Sequence, residues 1–514
     1  MRKLYFLSIA IILISFGAKA QTGGHDIKFN IKGLKDTTMY LAKYYFDQTV
    51  IIDSSKHIKN GAVRFKGDDV LPKGVYILVT QERGRYIDFL VDDTQKFSIN
   101  GDNSDLMATV RSPESKENDE LLAYARFMTG LDKRYKKAQE ETKGKSKADS
   151  AELIKNRVNA INEDVKKFDA SFMAKNKGTF VYDFMNLRTE KYPPSVPKAS
   201  NGRPDSNYQY YWYKSHYFDG VNFKDERIMY TPFFATRLKK YFDEVLLQNP
   251  DTVIKAIDMI MSQCVEGSEL YTTLLGHFTY KYESSKLMTL DGNGNMNNFE
   301  KVFIHLADKY ITNGKAFGYY SDETIKKIKE KVDILRNLQP NVKVPDLLVM
   351  DTTDGKEVLK MGFDTARTSP GVTALYNKNM DRINSLFKNL YGVKAKYTVL
   401  VFWAADCGHC KTEIPKLNEA LKEIKGKIDY KVFAVQTKEE LFGEWKKIII
   451  EQKLSDFINV FDPVHINNTK EKFDINATPA IYVLDKDKRI KGKKVSSEQV
   501  VDILKNLEKL DKKP

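Results

Sequence analysis

Cysteine is almost absent from this sequence, with three residues in a chain of 514, at positions 264, 407 and 410. A secreted protein that depended on disulfides for stability would carry many more, in even number, so a disulfide scaffold is excluded. Histidine is nearly as scarce, seven in all. Only one Cys-x-x-Cys occurs, and no second pair or His-x₃₋₅-His could complete a zinc site around it, so no metal is expected. Past residue 20, no apolar run approaches the length of a membrane span. Neither sign of charge forms a block: 83 basic and 69 acidic residues, net +14, are interleaved along the chain. That distribution describes a solvated surface rather than a stripe for nucleic acid, and no nucleic-acid motif is present. Asp291-Gly292-Asn293-Gly294-Asn295 fails as a calcium loop, with Met296 at the glycine position and Val302 where a bidentate glutamate is needed. With Asn297-x-x-Glu300 after it, the stretch reads as a loop that starts a helix.

What is present begins with Met1–Ala20. Arg2 and Lys3 precede an apolar run to about Phe16, and Ala18-Lys19-Ala20 closes it, the layout of a cleavable secretory signal. An uncleaved anchor is the other reading; no cysteine follows the run to carry a lipid. Cleavage would leave no stable membrane span and place the chain in the periplasm or cell envelope. In that oxidising setting a lone Cys-x-x-Cys is there for chemistry. Cys264 instead continues the helical apolar face of Val253, Ile257, Ile260 and Met261, and belongs in a core.

The length is too great for one core, and three textures follow one another. Residues 25–112 alternate with period two, as in Ile27-x-Phe29-x-Ile31 and Val75-x-Ile77-x-Val79, and predict an antiparallel β-sandwich or barrel. Residues 118–337 are mostly helical, broken by the proline-rich loop Tyr192–Ser206. The aromatic cluster Tyr208–Tyr213 after that loop leaves two readings open, a grip on a peptide or glycan and packing between helices at Tyr210, Tyr213 and Tyr217. Residues 341–514 alternate strand and helix, the pattern of an α/β sheet covered on both faces. The chain is therefore multidomain: a β-sandwich, a helical middle and a C-terminal α/β domain.

The chemistry lies in the last of these. Tyr397–Trp403 is a continuous apolar run suited to a doubly buried strand, and helical spacing at Ile414, Leu417, Leu421 and Ile424 starts just after it. Cys407-Gly408-His409-Cys410 thus sits where a strand feeds a helix. Unpaired N–H groups and the macrodipole at a helix start lower a thiol pKa, which makes Cys407 the candidate nucleophile. Cys410, one turn on, is placed to resolve a mixed disulfide.

Phe402-Trp403-Ala404-x-x-Cys407-x-x-Cys410-Lys411, with Thr478-Pro479 and the apolar Ala480–Leu484 further on, resembles the thioredoxin superfamily over about residues 341–514. The likeness is to its envelope branch, the TlpA and ResA-like thiol-disulfide proteins, because Val344-Pro345-Asp346 and Asp354-Gly355-Lys356 look like that branch's extra strand pair. Ile51-Ile52-Asp53-Ser54 with Asn60-Gly61-x-Val63-x-Phe65-x-Gly67 resembles the β domain of unassigned function that precedes many such proteins. A peroxiredoxin would carry Pro and Thr where this chain has Leu400 and Ala404. The resemblance implies a cis Pro479 beside the dithiol, a Thr478 backbone that pairs with substrate, and a substrate face including Trp403. It also implies a redox-active Cys407–Cys410 disulfide as the only cofactor, and cysteine-containing envelope proteins with a protein electron donor or acceptor as partners; cytochrome c-type biogenesis is among the roles it suggests.

Three residues would tune the pair. Gly408 and His409 lie between the cysteines, and a protonated His409 would stabilise the Cys407 thiolate, making the pair less reducing than thioredoxin's roughly −270 mV. Where thioredoxin has a buried aspartate this chain has Val401, so the proton of Cys410 needs another acceptor. Glu413, one turn on, is the nearest in sequence, and a solvated first-turn glutamate is its equal alternative. Asp406 should partly oppose the helix effect on Cys407. The reading is a thiol-disulfide oxidoreductase of the envelope. Its alternative is an envelope binding protein for a peptide or glycan on a thioredoxin-like scaffold.

Overall fold

The computed structural model describes residues 23–143, 146–283, 288–290, 296–366 and 368–512. The expected signal at 1–20 and the loop at 291–295 lie outside these residues. Among the described residues no helix is long and apolar enough to cross a membrane. The chain forms two compact units, residues 1–246 and 247–514.

The first unit contains the sandwich. Strands β1 (His25–Lys32), β2 (Thr38–Tyr45), β3 (Gln48–Lys56), β4 (Ala62–Gly67), β5 (Gly74–Val79), β6 (Arg85–Val91) and β7 (Lys96–Asp102) form two sheets, ordered β4-β1-β7 and β3-β2-β5-β6. The inward residues of the alternating strands, such as Phe29, Ile31, Leu41, Phe65 and Phe89, make the core between the sheets. One pairing departs from the antiparallel expectation: β1 and β7 run parallel.

Period two predicts a wet outer face, yet all six residues of β5 are buried. Val75, Ile77 and Val79 pack with Leu121, Tyr124, Phe172, Phe184 and Met185, so the helices Lys116–Glu140, Lys147–Lys175 and Phe180–Arg188 cover the second face of the four-stranded sheet. The helical stretch 118–337 accordingly contributes to both units. Of its aromatic cluster, the positions at helical spacing pack while Tyr208 and Tyr211 are exposed: Tyr217 is buried, the Tyr213 hydroxyl donates to Glu190 and that of Tyr210 to the Val245 carbonyl.

In the second unit, helices at Pro250–Gln263, Glu269–Glu283, Glu300–Leu306 and Asp322–Arg336 precede the α/β domain, with a small hairpin of β8 (Met288–Leu290) and β9 (Met296–Asn298). Cys264 is buried, and burial pushes its thiol up to about 12. The sheet comprises β10 (Leu348–Asp351), β11 (Lys388–Asn389), β12 (Tyr397–Trp403), β13 (Tyr430–Gln436), β14 (Ile458–Phe461), β15 (Ala480–Asp485) and β16 (Ile490–Lys493), in the order β11-β10-β14-β13-β12-β15-β16. Every residue of the central β12 is buried. Val399, Val401 and Trp403 face the helix Gly408–Lys422 and the C-terminal helix Ser497–Asp511, while Leu400 and Phe402 face a second core with Val344, Leu347 and Phe473. This is the doubly covered sheet that alternating elements require.

Two expectations are corrected here. Asp354-Gly355-Lys356 is not a strand: the Asp351 carboxylate accepts from the N–H groups of Thr353 and Asp354 and turns the chain into a short helix, Asp354–Val358. The partners of β10 are β11 and β14 instead. After β14 the chain forms only the short helix Thr469–Lys472, because His465 and Asn468 adopt left-handed backbone angles, φ 56° and 43°. The helix-start signal near 297 is displaced by one residue, with the Asn298 side chain accepting from the Glu300 N–H.

A buried ion pair fastens β16 to the preceding helical segment. Lys493, 2% exposed, meets Glu300 at 2.5 Å. Burial pulls Lys493 below its ordinary pKa even with that partner. Glu300→Ala would strand a buried ammonium and should cost about 3–5 kcal/mol, whereas Glu300→Leu with Lys493→Met should recover most of it. Urea unfolding of the single and double variants measures both.

Candidate active site

The end of β12 fixes the site. Its register with β13 and β15, Trp403 opposite Gln436 and Phe402 opposite Ala480, brings the C-terminal end of β12, the end of β13 and the start of β15 to one edge. Adjacent parallel strands of an α/β sheet open a crevice beyond their carboxyl ends, and both cysteines lie there. The Cys407 N–H donates to the Ala404 carbonyl in a tight turn, and the helix Gly408–Lys422 begins with Cys407 as its N-cap.

The N-cap position is ordinarily filled by an oxygen-bearing side chain that accepts from the first free amides. Here sulfur does so: Cys407 Sγ accepts from the Cys410 N–H at 3.2 Å. As a thiol it also donates to the Thr478 carbonyl at 3.1 Å. Burial alone would raise the Cys407 pKa. The Cys410 thiol, the Thr478 side chain and the N–H groups of Cys410 and His409 outweigh burial and hold it below the ordinary thiol range. Cys410, fully buried, goes the other way: burial first, and then its hydrogen bond with Cys407, push it up to about 12. Two sulfurs one helical turn apart therefore ionise in very different ranges, and neither is bonded to the other here.

The remaining sequence-derived residues divide. Thr478 and Pro479 stand against the dithiol at the start of β15, and the peptide bond between them is cis. Gly408 and His409 are exposed, and nothing beyond Gly408's own turn of helix lies within 4 Å of where its Cβ would stand. Trp403 is not on that face. It is 1% exposed in the core beneath the helix, because it occupies an inward position of a doubly buried strand. Glu413 is engaged with other groups: Ser497 Oγ donates to its carboxylate at 2.9 Å, Lys416 pairs with it at 3.1 Å, and both hold its pKa below the usual range. It fastens the dithiol helix to the C-terminal helix.

Sequence reasoning missed Lys438. The Thr437 N–H and hydroxyl both donate to the Trp403 carbonyl, which brings the loop after β13 to the dithiol, and Lys438 Nζ then meets Asp406 at 2.5 Å. The pair offsets the carboxylate charge that was expected to oppose the thiolate. No local signal points to it, because its place depends on β13 lying beside β12. A groove of about 350 Å³, lined by Ala404, Asp406, Cys407, Lys438, Asn476 and Thr478 among others, opens over the sulfur.

A partly exposed, low-pKa sulfur at a helix N-cap with a buried sulfur one turn behind it defines a thiol-disulfide oxidoreductase of thioredoxin-like fold. Residues 380–493 match the AhpC/TSA family, and the C-terminal domain belongs to the thioredoxin-like oxidoreductases. Leu400 and Ala404 still stand where a peroxiredoxin carries Pro and Thr, with Leu400 in the sheet core. Residues 25–121 and 136–336 match two domains of unknown function, DUF4369 and DUF5106. Among solved structures, a domain of a possible thiol-disulfide isomerase from Cytophaga hutchinsonii is 32% identical, covering 34% of this chain and 97% of that one, at a TM-score of 0.25. A thioredoxin-like protein from Bacteroides caccae is 16% identical over 60% of this chain and 97% of its own, with a TM-score of 0.41. A thiol:disulfide interchange protein from Bacteroides sp. is 20% identical over 32% and 86%, with a TM-score of 0.23. No curated protein matches the chain.

Lys438→Met would leave Asp406 uncompensated beside the thiolate. The pair is about half exposed, so the pH at which Cys407 reacts half-maximally with iodoacetamide should rise by roughly half a unit or less, and Asp406→Asn should not raise it. The pH dependence of alkylation in a Cys410→Ser background measures the shift.

Proposed function

We propose that this protein is an exported thiol-disulfide oxidoreductase of the cell envelope, exchanging disulfides with cysteine-containing envelope proteins through Cys407 and Cys410. The observation that carries the reading is the Cys407 sulfur, capped by the Cys410 N–H and facing an open groove. The Cys407 thiolate attacks one sulfur of a substrate disulfide. The other leaves as a thiolate and takes a proton from solvent, and a mixed disulfide is formed.

The same step prepares the next one. While Cys407 is a thiolate, its charge and its hydrogen bond both hold the Cys410 proton in place. Bonding Cys407 to the substrate removes that negative charge, so Cys410 ionises more readily once its nucleophile is needed. Cys410 then attacks the Cys407 sulfur, its proton goes to the departing substrate thiolate, and a Cys407–Cys410 disulfide remains. A dedicated acid–base residue is not required, which suits a chain with Val401 in place of a buried aspartate and Glu413 engaged elsewhere. Thr478 would pair its backbone with the substrate chain beside Pro479. His409, exposed one residue from Cys410, would favour the thiolate and a less reducing pair. The redox-active disulfide is the only cofactor in this scheme, and a protein donor or acceptor resets it.

Cys410→Ser should accumulate mixed disulfides with envelope proteins, seen as reductant-sensitive adducts on gels, and Cys407→Ser should not. Equal trapping by both variants would overturn the roles assigned. Absence of adducts with either, together with no catalysed reduction of a protein disulfide above the Cys407→Ala background, would overturn the function in favour of a binding protein.

A further inference from the structure

The dithiol groove has a larger neighbour. Between β10 and β11 the chain inserts helices at Asp354–Val358, Ser369–Lys378 and Met380–Leu386. The first two, with the turn Leu359–Phe363 between them, form one wall of a second groove of about 1130 Å³, presenting Leu359, Phe363 and Val372; Phe442, Val464 and Ile466 form the other. The floor is a satellite core of Met350, Val358, Phe363, Ile383 and Val464. Ile466 is 40% exposed at the rim.

The two grooves adjoin along two loops. Thr437 and Lys438 line the dithiol groove, and the next residues, Glu439 and Glu440, line the larger one. Thr469 and Lys470 line the first, and Val464, His465 and Ile466 the second. His465 Nδ1 and Glu439 meet at 2.9 Å, tying the loops together between the grooves. The larger groove's charged residues are of both signs, Lys356 and Lys360 against Asp364, Glu439 and Glu440, with His465 paired to Glu439, so its walls select for apolar surface rather than for one sign of charge.

We propose that the second groove holds the apolar residues of an extended substrate polypeptide whose disulfide lies over Cys407. The inference rests on the oxidoreductase reading and adds the substrate class: protein disulfides flanked within a few residues by large aliphatic or aromatic side chains. The occupant must be continuous with the sulfur under attack, which a polypeptide provides. An extended chain advances about 3.3 Å per residue, so residues close to the cysteine reach the adjoining groove. Burial of one or two apolar side chains there should favour such substrates about tenfold.

The test uses the reduced full chain and symmetrical disulfide dimers of short cysteine peptides, one with Leu, Val and Phe flanking the cysteine and one with Ser and Asn. One dimer gives two peptide thiols and one Cys407–Cys410 disulfide, so no further reductant is involved. The second-order rate constant should be about tenfold higher for the apolar dimer. Ile466→Asp and Thr373→Trp, both at exposed groove positions, should each reduce that advantage to about twofold or less while leaving oxidation by glutathione disulfide unchanged. Equal rates for the two dimers with normal glutathione reactivity would overturn the groove assignment alone, as would an advantage that survives both substitutions. If neither peptide nor glutathione disulfide oxidises Cys407, the oxidoreductase reading fails and takes this inference with it.

Discussion

The hydrogen bond from the Cys410 amide to the Cys407 sulfur is the contact on which the site depends. It exists because a helix begins at Gly408 and leaves its first amides without intrahelical partners. The helix begins there because β12 ends at Trp403, and β12 is held in place on both sides by β13 and β15 and on both faces by apolar cores. A slip of one residue would exchange those faces and move the turn. The precision of a sulfur–amide distance is thus inherited from a sheet that cannot slide.

Burial divides the two sulfurs. Both feel the same helix start, but Cys407 is partly exposed and surrounded by donors, whereas Cys410 is sealed beneath the first turn. Cys407 also acts on Cys410: its hydrogen bond and its charge both raise the second thiol, and in the proposed mechanism bond formation at Cys407 would remove that charge. The loop after β13, anchored on the Trp403 carbonyl, adds Lys438 to balance Asp406. Charge at the site is therefore set first by burial and by the contact between the two sulfurs, with Thr478 and the amides at the helix start adding to it.

Much of this was legible in the sequence. The apolar run of β12, the helical spacing after Cys410 and the alternation of Ile27, Phe29 and Ile31 each report a local period that tertiary packing did not override. Trp403 was misplaced because the resemblance carried it to the substrate face, while it ends a strand buried on both faces. The engagement of Glu413 was not legible, because its sequence distance to Cys410 says nothing of Ser497, 84 positions later. Lys438 and the second groove depend on which strands are neighbours and on an insertion's path, and neither has a local signature. The covering of β5 was hinted at by Val75–Val79, apolar at every position, where a half-exposed strand should alternate. The strand expected at Asp354 failed because Asp351 can cap a turn, a competition that propensity alone does not resolve.

The central claim is that the fold separates two neighbouring thiols into one that ionises early and one that ionises late. Thiolate absorbance near 240 nm, followed against pH in the reduced protein and in Cys264→Ala, measures that separation directly. The account predicts one thiolate appearing below the ordinary thiol range, lost in Cys407→Ser, and no second thiolate from the pair until the pH approaches about 12. A single step worth two thiolates in the ordinary thiol range would contradict it.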